Sequence, residues 1–281
     1  MVKLKTLKEY FGLNGKVAVI TGGAGFLGLK HAEAIIDAGG VPILLDINTE
    51  RLMEAKSQLN SLYPDKAVEV ITTDITSERD IKSAYEKIID KYSRIDILIN
   101  NAANNPQVSR EMGLKESLQF EYFTLEKWNK DFSVGLTGAF LCSKVFGTHM
   151  ANKGKGIIVN ISSDLSIISP DQRLYRREGI PEEEQDIKPV SYSSVKTAIL
   201  GLTRYLSTYW ANKNVRVNTL VLGGVLKDQD SEFLKRVESR IPLGRLANPD
   251  EYSGTLIYMC SESSSYMTGA TLVIDGGRTI W

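Results

Sequence analysis

The chain has 281 residues, 42% of them hydrophobic, with 34 Lys and Arg against 34 Asp and Glu. That length suits one α/β domain over residues 1–281, and zero net charge weighs against non-specific binding to nucleic acid or anionic membranes. Its two cysteines, Cys142 and Cys260, lie in apolar helical patterns and form no disulfide framework.

No apolar run reaches membrane-spanning length, and residues 1–14 lack the apolar core of a signal peptide, so the cytoplasm is the expected compartment. His31 and His149 lie far apart without ligand partners at metal-like spacing, so no metal is expected.

Residues 4–11 predict a short amphipathic helix. Residues 16–20 read as a buried strand, apolar on both faces. Thr21-Gly22-Gly23-Ala24-Gly25-Phe26-Leu27-Gly28 follows, then a helical run to residue 38. Gly23, Gly25 and Gly28 fit G-x-G-x-x-G, where glycines permit a tight turn, close approach to a pyrophosphate, and close helix–strand packing. The helix N-terminus adds free N–H groups for phosphates.

Residues 41–45 form a second strand that ends in Asp46. An acid about 20 residues beyond the glycine loop is placed to bind a ribose 2′-hydroxyl and to repel a 2′-phosphate. Ile47 and Asn48 follow, with no Arg or Lys beside them, which favours NAD over NADP. The other use for Asp46, capping the next helix, is already served by Asn48 and Thr49.

The alternation continues with a helix over 49–62, a strand over 68–72, a helix over 77–92 and a strand over 95–99. Asp74 and Asn100-Asn101-Ala102-Ala103 sit at strand C-terminal ends, which face the ligand crevice of a doubly wound sheet. The loop 104–119 is polar, and Asn104, Asn105, Gln107 and Arg110 are placed to line a pocket for a hydroxyl-rich substrate. Residues 124–150 form one long helical pattern with Trp128, Phe132, Leu136, Phe140 and Val145 inward. Further on come strands over 155–161, 215–221 and 271–274, a helical lid over 227–240, and a long helix over 248–261 with Pro249 at its first position.

Tyr192-Ser193-Ser194-Val195-Lys196 opens a helix that runs to residue 210. Tyr192 and Lys196 are four apart, so they share one helical face. A free phenol has a pKa of about 10. An ammonium beside it favours the phenolate, making a group that exchanges protons near neutral pH.

Set in order, the glycine loop, Asp74-Ile75, Asn100-Asn101-Ala102-Ala103, Asn160-Ile161-Ser162-Ser163, Tyr192-Ser193-Ser194-Val195-Lys196, Val215-Arg216-Val217-Asn218 and Thr268-Gly269 with Asp275-Gly276-Gly277 resemble the short-chain dehydrogenase/reductase family, in its single-domain branch. The resemblance runs from about residue 15 to the C-terminus. It implies a Rossmann-like, doubly wound sheet of seven parallel strands, a nicotinamide cofactor, and a homotetramer or homodimer. By motif, Gly22, Gly23, Gly25, Phe26, Leu27 and Gly28 would cradle the pyrophosphate, and Asp46 and Ile47 would meet the adenosine ribose. Asp74 and Ile75 would hold the adenine, Asn100 and Ala102 the adenosine and its ribose, and Gly224 and Val225 the carboxamide. Ser163 would hold the substrate oxygen, Tyr192 would carry the proton, and Lys196 would bind the nicotinamide ribose and tune Tyr192.

Three features depart from that pattern. Phe26 stands where the single-domain branch has glycine, as in the longer nucleotide-sugar epimerases and dehydratases. Gly135 replaces an asparagine that helps hold a relay water, and glycine there permits a helix distortion. An insertion near 170–189 separates Ser163 from Tyr192. It is either a solvated surface loop or a pocket wall whose Arg173, Arg176 or Arg177 reaches an anionic substrate group.

The expected function is NAD(P)-dependent hydride transfer between nicotinamide and a secondary alcohol or ketone. Lys188-Pro189-Val190-Ser191-Tyr192, Gly135 and Tyr209-Trp210 look like oxidoreductases of bacterial surface-sugar and flagellin-glycan pathways, which points to a sugar or nucleotide-sugar. The alternatives are a sugar epimerase or dehydratase with tightly held NAD, and a non-catalytic NAD-binding protein.

Overall fold

The structure is a computed structural model that describes residues 5–104 and 118–281. Seven parallel strands form one sheet in the order β3-β2-β1-β4-β5-β6-β7. They are β1 (Val17–Thr21), β2 (Val41–Asp46), β3 (Glu69–Thr72), β4 (Ile97–Asn100), β5 (Gly156–Ser163), β6 (Val215–Leu222) and β7 (Thr271–Ile274). Every residue of β1, β4 and β5 is buried, as expected of central strands covered on both faces. The order reverses between β1 and β4, and such a switch point opens a crevice at the strand C-terminal ends.

The helices fall where sequence signals put them, with two exceptions. In chain order they are α1 (Leu7–Phe11), α2 (Phe26–Asp37), α3 (Thr49–Leu62), α4 (Glu78–Tyr92), α5 (Leu125–Phe132), α6 (Gly138–Cys142), α7 (Thr148–Lys153), α8 (Val190–Tyr209), α9 (Ser231–Glu238) and α10 (Ser253–Cys260). Asn48 caps α3 by accepting from Arg51 N, and Ser77 caps α4 by accepting from Asp80 N. One apolar layer packs α2, α3 and α10 on one sheet face, and a second packs α4, α6, α7 and α8 on the other.

The first exception is the helical row from α5 to α7. Two π-helical turns, Ser133–Thr137 and Ser143–Gly147, interrupt it. A π turn holds an extra residue, so each one rotates the buried face around the helix. Phe140, expected inward, is 47% exposed, while Leu141, Cys142, Phe146 and Met150 are buried.

The second exception is the last helix, which begins at Ser253 and not at residue 248. Glu251 N donates to Asn248 O and Ser253 N to Asp250 O, three residues back in each case. That is the tighter 3₁₀ spacing, so the α pitch starts only after it.

Candidate active site

The glycine loop leaves β1 and turns beneath α2. Gly22 has φ +62°, and a Cβ there would sit 2.9 Å from Ala102 Cα. A Cβ on Gly28 would lie 2.3 Å from the Gly22 carbonyl oxygen, so any side chain there would push α2 off the loop. Asn101 staples the same turn, its Nδ2 donating to Thr21 O at 2.9 Å and Gly22 O at 3.1 Å. Thr21 Oγ1 in turn accepts from Asn101 N and Ala102 N. The sequence reading quoted Asn101 only as part of a motif, and its clamp on the turn is visible only in the fold.

Gly25 caps α2 without a side-chain hydrogen bond. The first-turn N–H groups of a 12-residue helix therefore point out of the loop with no side chain satisfying them, which fits a dinucleotide pyrophosphate. Phe26 is 38% exposed, and Lys227 Nζ lies 5.8 Å from its ring centre. Leu27 packs against the core layer that holds β1 and β2.

Asp46 ends β2 beside this loop. Its Oδ2 accepts from Ala24 N at 3.3 Å and its Oδ1 from Asn48 N at 3.1 Å. Because Asn48 caps α3, Asp46 is not the helix cap. Ile47 is 68% exposed. Asp74 Oδ1 accepts from both the backbone and the hydroxyl of Thr76, and Ile75 is buried in the α4–α8 layer.

Asn100 points inward. Its Nδ2 donates to Ser143 Oγ at 3.1 Å and Asn160 Oδ1 at 2.8 Å, and Asn160 Nδ2 donates to Thr203 Oγ1. The side chain thus ties β4 to β5, α8 and the second π turn. Ala247 N donates to the Gly224 carbonyl, and Gln229 Nε2 donates to the Val225 carbonyl.

Ser163, the last residue of β5, and Tyr192, in the first turn of α8, meet. Burial pushes the Tyr192 pKa up, the Ser163 hydroxyl hydrogen-bonded to it pulls it down, and nearby Asp164 adds to the rise. Lys196 is buried one turn further on; its Nζ donates to Ile161 O at 3.0 Å and lies 5.9 Å from the Tyr192 ring centre. Burial first, and then Lys188, lower its pKa to about 8. Gly135 lies in the first π turn, and a Cβ on it would meet Val195 Cγ1 at 2.4 Å. The distortion that glycine permits is present beside the Tyr192 turn.

Residues 170–189 pack on the segment that follows β6. Leu174 is buried with Val237, Ile241 and Leu246, and Tyr175 lies 5.7 Å from Phe233, centre to centre. The three arginines of this stretch are held by acids of the same stretch: Arg173 by Asp171 at 2.8 Å, Arg176 by Glu182, and Arg177 by Asp186 at 2.7 Å. Gln172 instead exchanges two hydrogen bonds with the Lys188 backbone, and this clamp delivers Lys188 Nζ to 3.8 Å from the Tyr192 ring centre. Burial lowers the Lys188 pKa to about 8.

Asn104 Nδ2 donates to Asp131 Oδ1, while Asp131 Oδ2 accepts from Ser191 Oγ. Asn105, Gln107 and Arg110 lie outside the described residues. Sequence reasoning missed Lys188 and Asp164 as neighbours of Tyr192, and Arg278 as the partner of Asp164. The available signal was that Asp164 directly follows Ser163 and that Lys188 lies four residues before Tyr192.

Comparison with known proteins agrees with this geometry. The short chain dehydrogenase family model matches residues 16–174, and a model described as enoyl-(acyl carrier protein) reductase matches 182–279. An NAD-dependent glycerol dehydrogenase of Listeria innocua is 31% identical, over 98% of each chain. The post-translational flagellin modification protein A of Campylobacter coli is 28% identical, over 94% of this chain and 98% of its own. Among solved structures, a gluconate 5-dehydrogenase from Burkholderia cenocepacia in complex with NADP and tartrate superposes with a TM-score of 0.81 at 25% identity, over 98% of this chain and 100% of its own. With its crevice, glycine loop and Ser163–Tyr192–Lys196 cluster, the chain belongs to the short-chain dehydrogenase/reductase family, oxidoreductases that pass a hydride between a pyridine nucleotide and an alcohol or ketone.

Proposed function

We propose that the chain is an NAD-dependent dehydrogenase of a small, hydroxyl-rich secondary alcohol, or the reductase of its ketone. The meeting of the Ser163 and Tyr192 hydroxyls above the buried Lys196 carries the reading. Bound nicotinamide would supply the hydride acceptor or donor. Gly22, Gly23, Gly25, Phe26, Leu27 and Gly28 would hold its pyrophosphate. Asp46 and Ile47 would hold the adenosine ribose, and Asp74, Ile75 and Ala102 would flank the adenine half. Gly224 and Val225 would face the nicotinamide end. Asn100 acts from beneath, fixing the end of β4.

Hydride transfer leaves charge on the substrate oxygen. Ser163 holds that oxygen where the charge develops, and Tyr192 takes or returns its proton. The buried Lys196 ammonium favours the phenolate. Asp46 supports NAD, since a carboxylate held by Ala24 N and Asn48 N would face a 2′-phosphate. Relatives named for glycerol and gluconate support a polyol, sugar or sugar acid. Asn104 is the candidate for reading its hydroxyls, whereas Arg173, Arg176 and Arg177 are engaged by acids of their own segment.

Two further parts belong to the same proposal. A homo-oligomer is supported by exposed aromatics on α6 and α8, where Phe140 is 47% and Tyr205 and Tyr209 are each 62% exposed. A cytoplasmic location accords with the lack, among the described residues, of any helix long and apolar enough to cross a membrane.

The test is turnover with NAD⁺ or NADP⁺ against glycerol, threitol, gluconate, sugar phosphates and nucleotide sugars. Free NADH should appear with a hydroxyl-rich substrate and fall by about 10³-fold in Tyr192→Phe. Reaction with simple apolar alcohols only would refute the substrate class. Conversion of a sugar with no NADH released would instead favour an epimerase or dehydratase.

A further inference from the structure

The residue after Ser163 is an acid that the fold buries. Asp164 is 4% exposed and opens the 3₁₀ turn that follows β5. Its Oδ1 accepts from Ser163 Oγ at 2.8 Å and from Leu165 N at 2.9 Å. Its Oδ2 is enclosed and takes no hydrogen bond. The group facing Oδ2 is Arg278 Nη1, at 3.3 Å, on a side chain 10% exposed. Arg278 starts the 3₁₀ turn after β7, so the C-terminal end of the chain reaches the serine at the end of β5.

Two consequences follow from elementary chemistry. A serine has one hydroxyl proton, so Asp164 competes for it with the Tyr192 phenolate and the substrate oxygen, while the contacts of Ser163 Oγ with Asp164 and Leu165 N fix where that oxygen sits. The charge of a buried carboxylate is felt by its titratable neighbours, and a cation facing it offsets that charge. That charge acts on Tyr192, Tyr175 and Lys188, and Arg278 acts on Tyr175 in the opposite sense.

We propose that Asp164 and Arg278 are positioning residues: the carboxylate holds the Ser163 side chain in place, and the guanidinium balances that carboxylate's charge at Tyr192. The proposal rests on the reading of Ser163 and Tyr192 as the proton-handling pair. Among the described residues, the groups facing Tyr192 are Lys188 and Lys196 from α8 and its approach, Asp164 from the turn after β5, and Tyr175 from residues 170–189. Arg278 acts through Asp164. Only the Asp164–Arg278 pair predicts opposite effects from removing its two members. Without Arg278, an unbalanced negative charge disfavours the phenolate. Without the Asp164 charge, the phenolate gains.

The full chain is labelled with [¹³Cζ]tyrosine, and the Tyr192 resonance is assigned by its loss in Tyr192→Phe. Arg278→Met should raise the Tyr192 titration midpoint by about one pH unit, and Asp164→Asn should lower it by about as much. Arg278→Lys, which keeps the charge, should stay within about 0.3 units of the parent. Equal shifts of one sign, or no shift in either variant, overturn the proposal. If Asp164→Asn does not fold, the contrast between Arg278→Met and Arg278→Lys decides alone. The readout needs no substrate, so it stands apart from the test of function: a Tyr192→Phe protein with undiminished turnover would sink the functional reading and leave this titration unchanged.

Discussion

Lys188 Nζ lies 3.8 Å from the centre of the Tyr192 ring, closer than the 5.9 Å of Lys196, the lysine that the helical spacing singles out. Tyr192 therefore carries two ammonium groups at its ring, four residues before it and four after. Both lysine pKa values are lowered to about 8, chiefly by burial, and Lys188 pushes Lys196 further down.

The sign of the Lys188→Met effect follows from those charges. Below about pH 8 Lys196 is an ammonium, and above it the charge is lost. Removing Lys188 removes a repulsion, so Lys196 stays charged to higher pH. The limb of the kcat/KM profile that reports Lys196 should move up by about half to one unit. A profile measured from pH 6 to 10 that keeps its limbs would exclude Lys188 from the site's electrostatics.

Asp46 predicts cofactor choice. Its two oxygens are fixed by Ala24 N and Asn48 N, so the carboxylate cannot turn away without breaking the loop's contact with β2. The parent should prefer NAD⁺ over NADP⁺ by about 100-fold in kcat/KM, about 2.7 kcal/mol. Asp46→Ala with Ile47→Arg should bring that ratio to about one or invert it, because Ile47 is exposed at the same edge. Equal use of both cofactors by the parent would remove Asp46 from the ribose site.

His31 makes stability depend on pH. It is 1% exposed in α2, its Nε2 has no hydrogen-bond partner, and burial pushes its pKa down to about 4. An unfolded histidine titrates near 6.5. Between those values the unfolded chain binds the additional proton, so this group's contribution to stability falls as pH drops from about 6.5 to 4, and levels off below. The full loss is about 3 kcal/mol. His31→Leu should flatten this part of the urea-midpoint curve, whereas parallel curves for parent and variant between pH 7 and 4.5 would show that His31 is protonated inside the fold.

Much of the fold was legible because its signals are local. A glycine loop between an apolar run and a helix, Asn48 as a cap, and strands apolar on both faces each act within a few residues. The face of the row from α5 to α7 was not legible. Period 3.6 carried forward from Trp128 cannot see two π turns, and it placed Phe140 inside. The motif residues of the site could be read one by one, but their charged surroundings could not. Arg278 lies beyond the last strand, and only the sheet order brings it to Asp164. The insertion's arginines look like anion ligands in sequence, yet Asp171, Glu182 and Asp186 of the same stretch engage them.

Gly135 explains why an asparagine cannot simply be restored. A Cβ there would come within 2.4 Å of Val195 Cγ1, and Val195 directly precedes Lys196 on α8. The glycine lets the first π turn pack against the helical turn that carries both Tyr192 and Lys196. Gly135→Ala should therefore destabilise the chain by about 1–3 kcal/mol, as overpacking does. It should also displace the Lys196 backbone, lowering kcat more than it raises KM. Gly135→Asn should do the same and recover nothing. The added Val195→Ala substitution removes the clashing methyl, so the Gly135→Ala/Val195→Ala protein should be more stable than the sum of the two single losses. Additive losses in urea denaturation would mean that Gly135 and Val195 do not press on one another. A Gly135→Asn protein with raised turnover would mean that the π turn accommodates a side chain without moving α8.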